Sequence, residues 1–361
     1  MRSALSIYWR GLANGNRTGI PDRLVILLLS PFSLAYALIQ RIRSALYQGG
    51  LLGSKRLPIP VISVGNITVG GTGKTPVSAY LARMLMEQGY RVAILSRGYG
   101  GELEGQTIIV SDGRTVMVSA RECGDEPFLL ASTVPGLMVV IGTDRHAAGM
   151  LAMQQLSPDI FLLDDGFQHL RLHRDLNILL VDYASPFGNG WTLPSGLLRE
   201  PKSAAQRADL VIQTRCPDSA VATTVVAGRP HCSARHLLVD TIPLAGGEPL
   251  RFDALRGRKL LAFAGIAEPD AFFEGLRGQG LALVATIGLP DHAVYDDAAL
   301  LELSDLFRTS GADAAVTTEK DGVKLGVLPK ELSEKTLLAR LKLAIDDPTP
   351  LTEALRNLLQ K

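Results

Sequence analysis

The chain has 361 residues, of which 47% are hydrophobic and 20% are charged. This length is sufficient for two modest domains or one large domain, and this composition excludes a chain that is disordered throughout. The formal net charge of +1 excludes the strongly basic surface that is typical of a nucleic-acid-binding domain, so we expect no nucleic-acid partner.

The first 50 residues form a basic and apolar segment. They contain six arginines and one acid, Asp22, and an uncharged run covers residues 24–39. This run would span ~24 Å as a helix, slightly less than the ~30 Å hydrocarbon core of a bilayer, and Pro31 would kink it. We predict that residues 1–50 are a membrane-associated helical segment that spans the bilayer or lies in its interface, where its arginines meet anionic headgroups. A buried core helix and a cleaved signal peptide are the alternatives.

Apolar strands and helices alternate through residues 51–224. Strands are predicted at 59–65, 91–96, 137–142, 159–165, 176–182 and 209–214, and helices at 74–88 and 145–156. Continuous runs of Val, Ile and Leu that are separated by helices are typical of a parallel sheet covered on both faces. We therefore predict an α/β core domain with a mostly parallel sheet over residues 51–224.

The composition changes near residue 225, where Ser, Thr, Gly and Pro become frequent. Strands are predicted at 259–266, 281–288 and 313–318, and a helix at 270–277. We interpret residues 225–330 as a second, smaller α/β domain. In residues 331–361 we expect a strand at 337–346 and a closing helix at 349–360, with Thr349 as N-cap and Pro350 in the first helical position. This last segment is a candidate for a return to the core domain.

The sharpest motif is VGNITVGGTGKTP at residues 64–76, which follows a predicted strand and opens a predicted helix. A phosphate-binding P-loop requires this context. Glycines allow the backbone to wrap around an anion, and backbone N–H groups at the helix N-terminus bind it. Lys74 would contact the β- and γ-phosphates of a nucleotide, and the Thr75 hydroxyl would bind Mg²⁺. The predicted nucleotide-binding residues are Thr68, Val69, Gly70, Gly71, Thr72, Gly73, Lys74 and Thr75.

The spacing of this motif departs from the standard G-x-x-x-x-G-K-[ST] pattern. Thr68 stands where the first glycine is usual, so we expect Gly65 or Gly70 to supply the turn. A plain glycine-rich turn before a helix is the alternative interpretation.

Two acids, Asp164 and Asp165, follow an apolar run and close the predicted strand that ends at residue 165. Ligands of open α/β sheets bind at the carboxyl ends of the strands. We therefore expect one of these carboxylates to hold Mg²⁺, either directly or through water. A solvated turn before Gly166 is the alternative.

A P-loop alone does not identify a reaction, because many kinases, ATPases and GTPases contain one. The chain lacks the N-K-x-D motif by which GTPases bind guanine, which argues against a GTPase. Seven motifs occur in a fixed order: GNITVGGTGKTP, SRGYGG (96–101), GDEP (124–127), DDGFQH (164–169), LREP (198–201), PDH (290–292) and TTEKD (317–321). With the arginine-flanked apolar N-terminus, they resemble the tetraacyldisaccharide 4′-kinase family of lipid A biosynthesis from about residue 20 to 325. The P-loop of that family also lacks the first standard glycine, so Thr68 agrees with the resemblance.

The resemblance implies a kinase that uses ATP and Mg²⁺ to phosphorylate the 4′-hydroxyl of a tetraacyl glucosamine disaccharide 1-phosphate. It implies a P-loop NTPase-like core domain and a smaller C-terminal domain, with the nucleotide between them. Asp125 of GDEP matches the proposed general base, and His292 of PDH matches its partner. The implied location is the cytoplasmic face of the bacterial inner membrane. The scattered cysteines at 123, 216 and 232 agree with a reducing compartment.

Further charged residues are candidates at this site, because phosphoryl transfer depends on positioning and charge neutralisation. Lys74 and Asp165 complete the predicted catalytic set with Asp125 and His292. Candidates for phosphate or substrate contacts are Arg97, Arg145, His169, Glu126 and Glu200. Asp125 would alternatively cap a helix.

Two other functions stay open at this point. One is a P-loop enzyme that acts on a soluble small molecule, and the other is a regulatory ATPase or GTPase that hydrolyses nucleotide without an acceptor. The sequence does not indicate an oligomeric partner.

Overall fold

The computed structural model describes residues 4–218, 220, 223–291, 293–326 and 328–360. Two helices, α1 (Ala4–Ala13) and α2 (Ile20–Gln48), precede the first strand. By length and composition α2 is able to cross a membrane, and only 11% of its most apolar window is buried against the protein. A core helix of a soluble protein is mostly buried, so this exposure argues against the core-helix interpretation.

The strands of the described residues form one 12-stranded sheet. They are β1 (Val61–Gly65), β2 (Val92–Ser96), β3 (Ile108–Asp112), β4 (Met138–Ile141), β5 (Ile160–Asp164), β6 (Leu176–Asp182), β7 (Leu210–Thr214), β8 (His231–Pro243), β9 (Lys259–Ala264), β10 (Ala282–Gly288), β11 (Ala314–Thr318) and β12 (Thr336–Ile345). Their order in space is β10-β9-β11-β12-β8-β7-β6-β1-β5-β2-β4-β3.

Helices connect these strands and pack on the sheet. They are α3 (Lys74–Glu87), α4 (Ala120–Cys123), α5 (Asp125–Thr133), α6 (Arg145–Gln155), α7 (Pro269–Gly278), α8 (Asp297–Thr309), α9 (Glu319–Gly322), α10 (Lys330–Lys335) and α11 (Thr349–Leu359). The predicted helices at 74–88, 145–156, 270–277 and 349–360 therefore exist, with ends that differ by about one residue, as is usual at helix termini.

The first half of the sheet is parallel except at its edge. β1, β2, β4, β5, β6 and β7 run parallel, and β3 is antiparallel to β4. Neighbouring residues of a strand point to opposite faces. Ile62 of β1 packs in one cluster with Leu81 of α3 and Leu351 of α11, whereas Val61 packs in another with Ala148 of α6. Helices cover both faces, which confirms the predicted α/β architecture.

The second half of the sheet is joined to the first through β8. This strand pairs in parallel with β7 at its start and antiparallel with β12 along its length, where Ala234 lies beside Ile345 and Pro243 beside Leu337. α7 and α8 bury apolar clusters against opposite faces of β9 and β11. The domain boundaries at 50, 224 and 330 stay predictions.

Three local features differ from the sequence-based expectations. The strands β3 and β8 were not expected, because both carry polar residues and lie half exposed. The closing helix begins at Thr349 itself, so Thr349 is not its N-cap and Pro350 occupies the second helical position. The carboxylate of Asp347 accepts the N–H of Thr349 at 3.0 Å, so this first N–H of the helix has a partner outside it.

Candidate active site

The phosphate loop connects β1 to α3. Gly73 precedes α3 with a φ of 75°, and a Cβ there would lie 2.7 Å from the imidazole of His236. Only glycine fits both this backbone and this space. Lys74 opens the helix, and its Nζ lies 3.8 Å from Asp165 Oδ1. Because the first N–H groups of a helix have no intrahelical partner, they are free to bind an anion beside Lys74, as the predicted phosphate loop requires.

Most of the predicted nucleotide-binding residues border one large cleft. This cleft has a volume of about 2400 Å³, and its wall includes Val69, Gly70, Gly71, Gly73, Lys74 and Thr75. Thr68 and Thr72 are buried behind that wall.

Thr68 is accommodated because its backbone is extended. It forms a β-bridge with Leu198, flanked by a hydrogen bond from Val69 N to Leu197 O (2.8 Å) and one from Arg199 N to Ile67 O (2.7 Å). Any residue adopts an extended conformation, so no glycine is required at 68. The left-handed turn follows at Gly70, whose φ is 113°.

The two acids after β5 have opposite electrostatic environments. Asp164 is buried and accepts a 2.9 Å hydrogen bond from Ser78 Oγ, and burial, with the charges of Glu126 and Asp165, raises its pKa to about 7. Burial would also raise the pKa of Asp165, but the charges of Lys74 and Arg199 outweigh it and the net shift is downwards. Asp165 thus stays ionised beside the phosphate loop.

The donor set in this part of the cleft suits Mg²⁺. The Thr75 hydroxyl and the carboxylates of Asp164 and Asp165 all border the cleft, and Mg²⁺ prefers oxygen ligands. Among the described residues, no group of three or more His, Cys, Asp or Glu is placed to hold a metal by itself. Mg²⁺ is usually held by one or two carboxylates together with substrate phosphates.

Two lysines, Lys320 of TTEKD and Lys324 just after it, pair with the acids of GDEP. Lys320 Nζ lies 3.5 Å from Glu126 Oε1 and 3.7 Å from Asp291 Oδ1. Lys324 Nζ lies 4.0 Å from Asp125 Oδ2 and 2.9 Å from Asp321 Oδ1. The structure therefore brings GDEP, TTEKD and Asp291 of PDH together. His292, the predicted partner of Asp125, lies outside the described residues.

The other predicted residues are placed as follows. Arg97, Arg145, His169 and Glu126 border the cleft. Arg145 is buried, and burial lowers its pKa to about 10, so it stays cationic. Burial, followed by the charge of Arg145, lowers the pKa of His169 to about 4, so His169 is neutral near pH 7. Arg97 is more exposed and pairs with Glu104 at 3.0 Å.

Glu200 does not border the cleft, whereas its neighbour Arg199 does. Glu200 is buried and binds Arg207, with 2.7 Å between Oε2 and Nη1. Arg199 Nη1 lies 3.1 Å from Asp165 Oδ2. Sequence reasoning selected the acid of LREP and missed the arginine. It also missed Lys320 and Lys324, although TTEKD itself was recognised.

The C-terminal end of α2 lies at the mouth of the cleft. Arg43 and Tyr47 border it, as does Arg10 of α1. Arg43 Nη2 donates a 3.1 Å hydrogen bond to the carbonyl of Gln168, in the DDGFQH segment. The apolar helix and the phosphate-binding residues therefore share one cavity.

Comparisons with known proteins agree with this geometry. Residues 25–360 match the family model described as Tetraacyldisaccharide-1-P 4′-kinase. A tetraacyldisaccharide 4′-kinase from Pelobacter propionicus is 65% identical over 100% of both chains. One from Geobacter sulfurreducens is 53% identical, with 98% of this chain and 99% of the relative covered. Among solved structures, "apo" form LpxK from Aquifex aeolicus in complex with ATP matches with a TM-score of 0.79 and 35% identity, over 92% of this chain and 99% of that chain.

Proposed function

Since the chain belongs to the tetraacyldisaccharide-1-P 4′-kinase family, we propose that its cleft transfers the γ-phosphate of ATP to the 4′-hydroxyl of a tetraacyl glucosamine disaccharide 1-phosphate. The chain is an ATP-dependent kinase of lipid A biosynthesis, and family membership favours this activity over a soluble-substrate enzyme or a regulatory hydrolase. The observation that carries the proposal is that the phosphate loop and Glu126 of GDEP border one cleft with the end of α2, with Asp125 next to Glu126 in the chain.

The nucleotide side of the reaction is assigned to the phosphate loop. The N–H groups at the start of α3 and the Lys74 ammonium would bind the β- and γ-phosphates, and Arg145 would add a second positive charge. Thr75, Asp164 and Asp165 would hold Mg²⁺. When bound, Mg²⁺ neutralises charge that develops on the phosphate oxygens.

The acceptor side is assigned to Asp125. Its carboxylate would take the proton of the 4′-hydroxyl while the sugar oxygen forms a bond to the γ-phosphorus. The bond from that phosphorus to the β,γ-bridging oxygen breaks, and the electron pair leaves with ADP. Lys324, within 4.0 Å of Asp125, would orient this carboxylate, and Lys320 would hold Glu126 beside it.

The protein is proposed to act at the cytoplasmic face of the inner membrane. α2 exposes a row of large apolar side chains, among them Leu28 at 73% and Phe32 at 66% exposure. Arginines on both sides of this row would meet anionic headgroups. The acylated acceptor would then lie in the same membrane that holds α2, beside the mouth of the cleft.

The test is transfer of label from [γ-³²P]ATP by the full-length protein. With the acylated disaccharide 1-phosphate in detergent, we expect label in the lipid fraction, and an Asp125→Ala variant should transfer about 10²-fold less. Label that appears only as inorganic phosphate, with or without the lipid, would reject the kinase assignment.

A further inference from the structure

Ser33 has an unusual position in the apolar helix. It is the one residue of α2 that is buried, and the structure describes α2 throughout. Its neighbours Phe32 and Leu34 are 66% and 61% exposed. α2 also contacts the protein through Arg43, but its one buried residue is a serine rather than an apolar residue, so hydrophobic burial does not account for the position of Ser33.

Hydrogen bonds fix Ser33 to the segment 192–195. Ser33 Oγ donates to Ser195 Oγ at 2.8 Å and accepts from Ser195 N at 2.9 Å. The carbonyl of Ser33 accepts from Thr192 Oγ1 at 2.7 Å. All three residues are buried. Trp9 of α1 adds a 2.8 Å hydrogen bond from Nε1 to the carbonyl of Pro194.

Hydrogen bonds connect the same segment to the phosphate loop. Leu193 N donates to the carbonyl of Leu198 at 2.9 Å, which folds the segment onto residues 197–199. Leu198 then forms the β-bridge with Thr68, and Arg199 binds both the carbonyl of Ile67 and the carboxylate of Asp165. Buried hydrogen bonds and close packing leave little room for independent movement along this path.

We propose that Ser33 is a positioning residue, which couples the seating of α2 to the geometry of the phosphate loop and of Arg199. A change in how α2 sits displaces segment 192–195, and through Leu198 it displaces the backbone that precedes Gly70. Nucleotide affinity is therefore highest when α2 is seated on this segment. The inference rests on the proposed function only in placing the nucleotide at residues 68–75.

The main test measures ATP binding without any acceptor, so that it does not depend on which molecule is phosphorylated, and a second test measures turnover with the acceptor. Full-length protein in detergent is titrated with a fluorescent ATP analogue and Mg²⁺, and kcat and KM for ATP are measured with the acylated disaccharide. Ser33→Ala should raise the analogue's Kd and the KM for ATP by about tenfold, in the range expected for a lost buried hydrogen bond, with a smaller change in kcat.

Ser30→Ala is the matched control. Ser30 lies on the same helix, and its hydroxyl donates within the helix to the carbonyl of Leu27 at 2.8 Å. This variant should bind ATP like the unaltered protein. Ser195→Ala removes the other hydroxyl, and the double variant should lose no more affinity than the more affected single variant, because both act through one contact.

Thermal unfolding distinguishes positioning from simple stabilisation. If Ser33→Ala lowers Tm while the folded protein binds the analogue with unchanged Kd, Ser33 only stabilises the fold and the proposal is overturned. An equal loss in Ser30→Ala would also overturn it. If Ser33→Ala does not fold, Ser195→Ala provides the same measurement. If the variants show the expected Kd values for ATP but the protein does not phosphorylate the lipid, the proposed acceptor is wrong. The proposed coupling between Ser33 and the phosphate loop would still stand.

Discussion

Lys324 Nζ lies 4.0 Å from Asp125 Oδ2, and this contact joins the second half of the sheet to the start of α5 in the first half. The same ammonium forms a 2.9 Å ion pair with Asp321, which is completely buried. A single cation therefore contacts both the proposed general base and a buried acid of TTEKD.

We expect Lys324→Met to destabilise the fold, because Asp321 would keep a buried negative charge without its cation. Removing one partner of a buried ion pair costs about 3 kcal/mol or more of unfolding free energy. Denaturant unfolding measures this loss. Lys335→Met is the control, since Lys335 and Glu331 pair at the surface across 3.8 Å, and its effect should stay within about 0.5 kcal/mol. Equal effects in both variants would contradict the importance of the buried pair.

We expect Asp125→Asn to reduce kcat about 10²–10⁴-fold, because an amide cannot accept the proton of the sugar hydroxyl. The Kd for ATP should stay within about twofold, since Asp125 lies outside the predicted nucleotide-binding residues and is not part of the cleft wall. Asp305→Asn, an exposed change on α8, serves as the control for a lost surface charge. A kcat for Asp125→Asn equal to that of the control would remove Asp125 from the role of base.

Gly73→Ala should weaken ATP binding at least about tenfold, because the new methyl group would meet the His236 imidazole and the backbone has a positive φ. Gly89→Ala is the matched control at the other end of α3, where φ is also positive, at 91°, but nothing lies within 4 Å. Isothermal titration with ATP and Mg²⁺ compares the two. Partial recovery in the double variant Gly73→Ala/His236→Ala would identify the imidazole as the obstacle, and similar affinities for the two single variants would contradict this interpretation.

His236 predicts a pH dependence of stability. Burial, and then the charge of Arg215, lower its pKa from 6.5 to about 4. Between these values the unfolded chain binds the proton and the folded protein does not, so the folded state loses stability as the pH falls. From pH 7 to pH 5 this histidine should account for about 1–2 kcal/mol of that loss.

The measurement is the unfolding free energy at pH 7 and pH 5 for the unaltered protein and for His236→Gln. Between pH 7 and pH 5 the variant should lose about 1–2 kcal/mol less unfolding free energy than the unaltered protein. His169, whose pKa is also lowered to about 4, remains in the variant and keeps part of the dependence. Identical pH dependence in the two proteins would show that His236 is readily protonated in the folded state.

The exposed face of α2 predicts how the protein meets its acceptor. Leu28→Glu should reduce sedimentation of the protein with anionic lipid vesicles, because a charge is costly in the hydrocarbon region. It should raise the apparent KM for an acceptor in vesicles much more than for one dispersed in detergent. Leu301→Glu alters a similarly exposed leucine on α8 and should change neither value. Equal effects on the two forms of acceptor would argue against an anchor.

The residues that sequence reasoning placed best are those joined by short chain segments. Lys74 and Thr75 open the helix after β1, Asp164 and Asp165 lie at the end of β5, and strands β1 and β5 are neighbours in the sheet. Because carboxyl ends of parallel strands meet at one edge, the motif order alone brought these groups together.

The residues that were missed depend on long-range packing or on side-chain direction. The partner of Glu126 is Lys320, nearly 200 positions further along the chain. Arg199 reaches the cleft, whereas the adjacent Glu200 turns inwards to Arg207. The LREP motif contains both and does not indicate which one faces the cleft. β8 was missed because its pairing with β12 depends on residues about a hundred positions away.

The contacts of α1 have a practical consequence for shortened versions of this protein. Leu12 and Ala13 are fully buried, and the carbonyl of Ala13 accepts the N–H of Asn189 at 2.9 Å. A truncation that removes both N-terminal helices to improve solubility would expose apolar surface around residues 189–195. It would also leave polar groups there without their hydrogen-bond partners. Inhibitor screening on such a fragment would therefore sample a cleft that has lost Arg10, Arg43 and Tyr47 from its wall.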